Sequence, residues 1–276
     1  MVDRQFSQNN GVAVIETPTP EPQWVAEEDK SEMTEIGRLV QIQDEMSVLE
    51  RFIMFLSEFG GTACLVFIGC LGCLSANGTI ISFGFGFAIM MGVQIFGHIS
   101  GAHINPAVTV AAATLGIFPL INIPIYIFGQ LLGAITGFGL VKLLINNSVL
   151  SISGLCSPGP TGVLSAFQLF LSEFILTLIL ILVCCAIWDS RNATKHDSLP
   201  LRLGLAVTGL AMAGGGLSGA NMNPARSFGP ALLNNTWDRH WVYWIAPLLA
   251  GFVGALLYRI IFSKDAKKNE TYPEGT

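Results

Sequence analysis

The chain has 276 residues, of which 51% are hydrophobic and 12% are charged, and its formal net charge is −5. Soluble globular proteins carry roughly 25% charged residues, so this composition, with a mean hydropathy of +0.59, excludes an ordinary soluble domain. The acidic balance gives no reason to expect a nucleic-acid partner, which would favour a basic surface.

Residues 1–50 open the chain with a polar stretch that contains Glu27, Glu28, Asp29, Glu32 and Glu35. A segment rich in charge and poor in apolar residues cannot bury enough surface to fold alone. We therefore predict a largely disordered N-terminal tail over 1–50. Its negative charge says little about the function of the rest of the chain.

Six long apolar blocks follow the tail, each close to the roughly 20 residues that a helix needs to cross a bilayer. They lie near 53–76, 80–99, 121–144, 164–188, 202–218 and 241–262. The fifth block is short and rich in glycine, so its limits are the least sharply defined. The pattern predicts an all-α, multi-pass integral membrane protein with six transmembrane helices.

One sequence frame, S-G-A-x-x-N-P-A, occurs twice, and its two asparagines, Asn105 and Asn223, are 118 residues apart. A second repeated string, Leu-Ser-Glu-Phe, places Glu58 and Glu173 at a separation of 115 residues. Two copies of a unit with three spanning helices insert in opposite orientations, because an odd number of crossings reverses the second copy. We therefore predict an inverted repeat.

Lysine and arginine residues set the predicted orientation in the membrane. They precede the first span, lie between the fourth and fifth spans, and close or follow the sixth, at Arg51, Arg191, Lys195, Arg202, Arg259, Lys264, Lys267 and Lys268. Lys142 and Arg239 are the minority near the opposite face. Cytoplasmic loops carry the excess of positive residues, so we predict that the tails 1–50 and 263–276 are both cytoplasmic.

Each copy of Asn-Pro-Ala begins a short apolar run. The two tripeptides are Asn105, Pro106 and Ala107 in the first copy and Asn223, Pro224 and Ala225 in the second. Asparagine is a strong helix N-cap and proline is favoured at the first helical position, so each tripeptide predicts a re-entrant half-helix. In an inverted repeat the two half-helices meet at the midplane, where their N-termini carry partial positive charge. The asparagine NH2 groups would be free to face a lumen that passes neutral hydroxylic molecules and repels cations.

On these residues the sequence resembles the aquaporin, or major intrinsic protein, family. The resemblance covers roughly 51–262 and includes both Asn-Pro-Ala motifs, the glutamates of helices one and four, and Arg226 directly after the second motif. It implies an aquaporin pore domain over 51–262, with repeat one at 51–144 and repeat two at 164–262. It also implies a passive channel that assembles as a homotetramer, needs no cofactor or metal and is not an enzyme. We expect it in the plasma membrane.

The family also implies a constriction of four residues, which correspond here to Phe85, Ala211, Ala220 and Arg226. Water-selective members usually carry histidine at the position of Ala211, where the ring narrows the pore. An alanine widens the pore and leaves one wall apolar, which suits glycerol or urea besides water. In this feature the chain is similar to insect glycerol- and urea-permeating aquaporins, the entomoglyceroporins. The resemblance therefore implies permeation of water, glycerol and urea, with exclusion of ions and protons.

Other positions favour a strictly water-selective aquaporin. Glycerol-conducting members typically carry aspartate after the filter arginine, and this chain has Ser227. Ala231 and the pair Tyr243 and Trp244 are also of the water-channel type. Because size exclusion acts at the narrowest point, we give the filter more weight and keep water selectivity as the alternative.

Four further residues are predicted to support the half-helices. Glu58 and Glu173 are charges inside apolar spans, and we expect each carboxylate to accept hydrogen bonds from backbone N–H groups before its half-helix. We expect His103 to be packed or bonded to a loop, and Gln130 to bond to a loop backbone. A coupled transporter would need further intramembrane acids, and an enzyme would need a nucleophile or a metal cluster. The sequence shows neither pattern.

Cysteine and glycine residues are predicted to serve packing. Five of the six cysteines lie in apolar spans and Cys156 stands alone in a connection, so we expect no disulfide and no thiol at the constriction. Gly129, Gly133 and Gly137 recur every four residues, a spacing that lets helices touch closely. We expect this glycine stripe to pack the two halves of the chain together.

Overall fold

The structure is a computed structural model that describes residues 46–145, 155–159 and 164–263. Most of the two predicted tails, 1–50 and 263–276, lies outside the described residues, so their disorder and their orientation stay predictions. Within the described ranges every regular element is helical and no strand occurs.

The described residues of the first half, 46–145, form four α-helices: α1 Val48–Gly72, α2 Gly78–Ser100, α3 Pro106–Leu115 and α4 Ile123–Leu144. The first two begin where side chains satisfy free N–H groups. Ser47 and Glu50 form a reciprocal capping box at α1, and the Asn77 side chain accepts from two N–H groups at α2. A 3-10 turn at Cys73–Ser75 extends α1, and another at Leu120–Asn122 leads into α4.

The second half repeats this order: α5 Ala166–Trp188, α6 Leu199–Ser218, α7 Pro224–Asn234 and α8 Val242–Leu257. Ser165 and Gln168 form the capping box of α5, at the place that Ser47 and Glu50 occupy in the first half. A π-helical turn at Tyr258–Phe262 extends α8. Each half therefore has two long helices, one short helix and a third long helix.

In the part of the chain that the structure describes, six helices are long and apolar enough to cross a membrane: Val48–Ser75, Gly78–Ser100, Leu120–Leu144, Ala166–Trp188, Leu199–Ser218 and Val242–Phe262. Together with the short helices α3 and α7 they confirm the predicted fold class. The predicted first span, 53–76, begins too late, because the capping box starts α1 before the apolar block does. The predicted fifth span, 202–218, begins too late as well, since Pro200 lies in the first turn of α6.

Helix packing joins the two halves in a crossed arrangement. In the first half α1 packs against α2 and α4, and in the second α5 packs against α6 and α8. Helices α2 and α6 meet between the halves, where Gly86 and Gly204 leave room for a close backbone approach. The short helix α3 packs against α8, and α7 packs against α4. Each half therefore holds the short helix of the other half.

The glycine stripe of α4 does not join the two halves, so that prediction is wrong. The stripe faces α1 in the same half, where a Cβ at Gly133 would collide with the carbonyl oxygen of Phe59 and one at Gly137 with that of Ala63. The four-residue spacing predicts a close helix contact correctly, but spacing alone carries no information on which helix is the neighbour.

The distribution of polar side chains is that of a membrane protein. The outward faces of the long helices expose large apolar side chains such as Leu143 and Phe167, whereas Glu58, Gln130 and Glu173 are fully buried. Apolar groups can face lipid, and polar groups within a bilayer must be satisfied inside the protein. The chain is an integral, multi-pass membrane protein.

Candidate functional site

Both Asn-Pro-Ala tripeptides start their short helices, as the sequence predicts. The Asn105 side-chain oxygen accepts from the N–H of Ala107 at 2.9 Å, and a proline fills the first turn of α3. The Asn223 side-chain oxygen accepts from the N–H groups of Ala225 and Arg226, at 3.0 and 3.1 Å, at the start of α7. Each helix N-terminus therefore carries its partial positive charge at its asparagine.

The two asparagine amides bridge the two halves. Nδ2 of Asn105 donates to the carbonyl oxygen of Met222 at 2.9 Å, and Nδ2 of Asn223 donates to that of Ile104 at 2.8 Å. The prediction that both NH2 groups are free is therefore wrong in part, because each amide gives one of its two hydrogens to the opposite segment. These reciprocal bonds hold the starts of α3 and α7 together.

Four residues before the two motifs adopt left-handed backbone conformations, which residues other than glycine rarely do. Ala102 and Ile104 have φ of 45° and 43° in the first segment, and Ala220 and Met222 have φ of 46° and 53° in the second. Each such residue costs roughly 1–2 kcal/mol, so both segments need support from outside. Sequence reasoning missed this strain, because the residue types in the repeated frame do not signal it.

Two buried glutamates supply that support, in the role expected from the sequence. Glu58 of α1 accepts from the backbone N–H groups of His103 and Ile104 at 2.9 and 2.7 Å. Glu173 of α5 accepts from the two N–H groups at the same places in the second segment, at 3.0 and 2.8 Å. Each carboxylate thus fixes the strained backbone next to one Asn-Pro-Ala motif through charge-assisted hydrogen bonds.

Gln130 and His103 are buried beside Glu58. Nε2 of Gln130 donates to the Glu58 carboxylate at 2.7 Å and lies 3.1 Å from the hydroxyl of Thr109. The prediction that Gln130 bonds to a loop backbone is therefore wrong. Nδ1 of His103 lies 3.2 Å from the same hydroxyl. The imidazole packs against three aromatic rings, those of Phe118, Tyr126 and Trp188.

A cavity of about 420 Å³ lies beside the paired asparagines, both of which line it. All four residues of the predicted constriction line the same cavity: Phe85, Ala211, Ala220 and Arg226. Other parts of the wall are apolar, formed by residues such as Leu65, Ile81 and Leu180. An apolar wall with a few fixed polar groups is the usual lining of a site for a small molecule.

A second, smaller cavity of about 60 Å³ lies next to the first. The two cavities share four lining residues: Ile89, Asn105, Leu180 and Val207. His103 and Trp188 line only the smaller one. Because four residues line both cavities, the two cavities lie next to each other with Asn105 between them, and together they are called the path below.

Arg226 is the charged residue of this path, and its guanidinium is held by three contacts. Nη1 donates to the carbonyl oxygen of Cys156 at 2.8 Å, and Nη2 lies 3.5 Å from the sulfur of the same residue. The guanidinium carbon lies 4.5 Å from the ring centroid of Phe85, a cation–π contact. Within the described ranges the one salt bridge joins Arg191 and Asp189, so Arg226 has no carboxylate partner there.

The cysteines differ from the prediction in two ways. Cys70 of α1 and Cys156 form a disulfide across 86 residues, although no disulfide was expected. Cys73 is a free thiol that lines the larger cavity with Arg226, although no thiol was expected there. The sequence signal that was overlooked is position. In the predicted orientation the end of the first span, with Cys70, and the connection that holds Cys156 lie on the same, non-cytoplasmic face.

Within the described ranges, no group of three or more histidine, cysteine or acidic side chains is placed to hold a metal ion. The polar side chains that line the path include the amides of Asn105 and Asn223 and the guanidinium of Arg226. Such donors can bind and orient a small neutral molecule through its oxygen atoms.

A protein-family model described as Major intrinsic protein matches residues 45–258. This range includes every helix that lines the two cavities. The chain belongs to the major intrinsic protein family. The resemblance seen in the sequence is thus confirmed for the family, while the finer likeness to entomoglyceroporins stays a proposal.

Similar proteins include aquaporin-4 from Bos taurus, which is 38% identical over 202 residues, 73% of this chain. The chain spans 62% of the length of that relative. Nodulin-26 from Glycine max is 34% identical over 240 residues, which are 84% of this chain and 86% of that protein. The X-ray structure of the aquaglyceroporin from Plasmodium falciparum matches with a TM-score of 0.70 and 29% identity, covering 76% of this chain and 96% of the other.

Proposed function

We propose that this family member is a passive membrane channel for water and small uncharged solutes, including glycerol and urea, that excludes ions and protons. The observation that carries the proposal is the path formed by two cavities that meet at Asn105. The path is lined by donors and apolar groups, which suits a neutral solute that passes without any chemical change. The channel is therefore not an enzyme.

Exclusion of cations follows from fixed positive charge on this path. Arg226 is 8% exposed, lines the larger cavity and has no carboxylate partner within the described ranges. The N-termini of α3 and α7 add their partial positive charges at the paired asparagines. Charges act strongly in a medium of low dielectric constant, so a cation would meet an unfavourable potential that a neutral solute does not feel.

The predicted solute range rests on Ala211. This residue lines the larger cavity with Phe85 and Ala220, and it presents a methyl group where a histidine would present a ring. A wide, partly apolar wall can accept the carbon skeleton of glycerol while polar groups bind its hydroxyls. The fold neighbour from Plasmodium falciparum is named an aquaglyceroporin, and the absent histidine also supports the entomoglyceroporin type.

Strict water selectivity is the second candidate, and Ser227 favours it. Typical glycerol-conducting members carry aspartate after the filter arginine, whereas Ser227 is fully buried and its hydroxyl donates to the carbonyl oxygen of Asn223 at 3.1 Å. Ser227 does not line the cavity, so it acts on the first turn of α7 rather than on the width of the path. Ala211, which does line the cavity, is therefore the better guide to the solute range.

The proposal places the channel in the plasma membrane as a homotetramer with cytoplasmic tails at 1–50 and 263–276. The disulfide between Cys70 and Cys156 supports this orientation. Disulfides persist in oxidising environments and are rare in the cytosol, so the membrane face that carries residues 155–159 would be the extracellular one.

The direct test is stopped-flow light scattering on proteoliposomes that contain the purified protein. Water permeability is measured with an impermeant osmolyte, and glycerol and urea permeabilities are measured with inward gradients of each solute. We expect all three to exceed those of empty liposomes, without any ion gradient. Water flux without glycerol or urea flux would instead establish the water-selective alternative.

A further inference from the structure

Residues 155–159 form a short segment that is bound to the end of α1 and to the end of α7. The disulfide ties Cys156 to Cys70 in the last turn of α1. Nδ2 of Asn234, at the end of α7, donates to the carbonyl oxygen of Leu155 at 3.1 Å and to the hydroxyl of Ser157 at 2.9 Å. The segment therefore has a fixed position against two helices that line the path.

Cys156 presents its carbonyl oxygen to the charged residue of the path. Its backbone is in the left-handed region, with φ of 61°, and the residue is 9% exposed. Its carbonyl oxygen accepts from Arg226 at 2.8 Å, and its sulfur lies 3.5 Å from the same guanidinium. A left-handed non-glycine residue persists only where the surroundings hold it, and the covalent bond to Cys70 is the strongest of those restraints.

We propose that the disulfide between Cys70 and Cys156 is a positioning element for Arg226 and thereby sets the solute selectivity of the channel. This inference rests on the proposed function for its solute range. The carbonyl oxygen of Cys156 draws the guanidinium to the wall of the cavity and leaves the centre open. The disulfide determines where that oxygen lies.

Loss of the disulfide changes the position of the guanidinium for a simple reason. A buried cation without an acceptor must find another one, and Arg226 has no carboxylate partner within the described ranges. The guanidinium can then move into the larger cavity, because the Phe85 ring beside it offers no acceptor atom. A guanidinium in the cavity narrows the path, and the narrowing affects glycerol and urea more than water.

The test compares the double substitution Cys70→Ser, Cys156→Ser with wild type in proteoliposomes. We expect the glycerol-to-water permeability ratio to fall by about threefold or more, because a hydrogen bond to a charged group favours its bound geometry roughly tenfold or more. Cys64→Ser, a free thiol on the same helix and outside both cavities, is the matched control that should keep the wild-type ratio. An unchanged or raised ratio in the double variant overturns the proposal.

A second measurement separates positioning from a general loss of structure. In the Arg226→Val background the double serine substitution should change the ratio no further, since the residue through which the disulfide acts is absent. An equal fall in that background overturns the proposal. If the double variant does not fold, dithiothreitol on folded wild type replaces it: the dithiol is oxidised to its cyclic disulfide while Cys70 and Cys156 each gain one hydrogen, with loss of the disulfide checked by mass spectrometry.

The experiment also distinguishes this inference from the proposed function. If wild type passes water but neither glycerol nor urea, the proposed solute range fails. The water permeabilities of the same variants then decide the inference. A fall in the double variant that is absent in Cys64→Ser and absent in the Arg226→Val background supports it, and an unchanged water permeability overturns it.

Discussion

The bonds around the short helix are nearly the same in the two halves of the molecule. In the first half the Tyr126 hydroxyl donates to the carbonyl oxygen of Ser100 at 2.8 Å, and in the second half Tyr243 donates to that of Ser218 at 3.1 Å. A hydroxyl in the first turn of each short helix, Thr109 or Ser227, donates to the carbonyl oxygen of the motif asparagine.

The side chains that line the path differ between the same two halves. Position 226 is an arginine on the larger cavity, whereas the residue 118 positions earlier is Val108 on the smaller one. His103 packs among aromatic rings at the small cavity, while Asn221, in the equivalent position, lines the large one. Residues of both halves line both cavities, but the second motif faces the larger cavity, here called the large chamber, with its charged residue. The residue equivalent to Arg226 faces the smaller cavity, here called the small chamber, whose lining includes no lysine, arginine or acidic residue.

The comparison separates what the fold requires from what selectivity requires. Both segments carry two left-handed residues other than glycine, so both need a buried carboxylate, and this requirement keeps the scaffold alike. Lining residues outside the two strained segments, such as Phe85 and Ala211, carry no such constraint. We therefore expect substitutions in the scaffold to have matched effects in the two halves, and substitutions in the lining to act on one chamber only.

The largest expected effect is on charge exclusion, at the residue where the halves differ most. Arg226→Val makes the large chamber resemble the small one, which has Val108. Loss of a fixed charge in a medium of low dielectric constant removes about 3 kcal/mol of barrier, so cation or proton leak should rise about a hundredfold. The leak is measured with a pH-sensitive dye inside proteoliposomes.

Arg239→Val is the matched control for this prediction. Arg239 donates to the carbonyl oxygen of Leu164 and does not line either cavity, so its loss should leave the leak at the wild-type level. A wild type that already carries proton current, or an Arg226→Val variant as tight as wild type, would show that the barrier lies elsewhere.

A smaller effect is expected from the two carboxylates of the scaffold. Glu58→Gln and Glu173→Gln each leave one strained N–H group without a good acceptor, and each should lower the free energy of unfolding by about 2–3 kcal/mol. The two losses should agree within about 1 kcal/mol, because the two segments carry the same strain. Thermal unfolding in detergent measures both, and Asp238→Asn, at an exposed acid, is the control. Tolerance of one substitution alone would contradict the matched scaffold.

The scaffold of the site can be predicted from the sequence to a greater extent than the contacts between distant residues. The apolar blocks predict six spans, and the repeated frame predicts two half-helices. Asn-Pro is a local signal for the start of a helix, and the 118-residue offset shows that the second half repeats the first. The two carboxylates are predictable as well, since a charge in an apolar span must find donors. Local chemistry therefore gives the scaffold of the site.

The remaining features depend on which surfaces meet in space. The amide bonds between Asn105 and Met222, the disulfide from Cys70 to Cys156 and the contact of the α4 glycines with α1 all join distant residues. Spacing alone does not identify such partners. The left-handed residues were missed for a different reason, because alanine, isoleucine and methionine carry no preference for that conformation.

The third prediction concerns the lining of the large chamber and is a change of about tenfold in glycerol and urea permeability. Ala211→His adds an imidazole to a chamber whose lining has none, while His103 already lines the small chamber. Glycerol and urea permeabilities should fall about tenfold, equivalent to about 1.4 kcal/mol, and water permeability should fall much less, because a ring narrows the path and makes its apolar wall polar. Stopped-flow scattering measures all three.

The control for the added ring is Ala213→His, two residues along α6 and outside the cavity lining. It should keep the wild-type permeabilities. Equal falls for water and glycerol in Ala211→His would indicate a blocked path rather than a narrowed one, and would argue against Ala211 as the residue that sets the width.

The smallest expected effect concerns a scaffold bond that only the first half has. Gln130 donates to Glu58, whereas Pro247 occupies the equivalent position in the second half, where Glu173 holds its segment without an amide. Gln130→Met removes the amide bonds to Glu58 and Thr109 but also removes a buried amide oxygen that has no partner among the described residues, so the free energy of unfolding should fall by only about 1 kcal/mol. Thermal unfolding checks this against Gln94→Met, at an exposed position of α2. A loss as large as that of Glu58→Gln would mean that the first segment depends on the amide in a way the second does not.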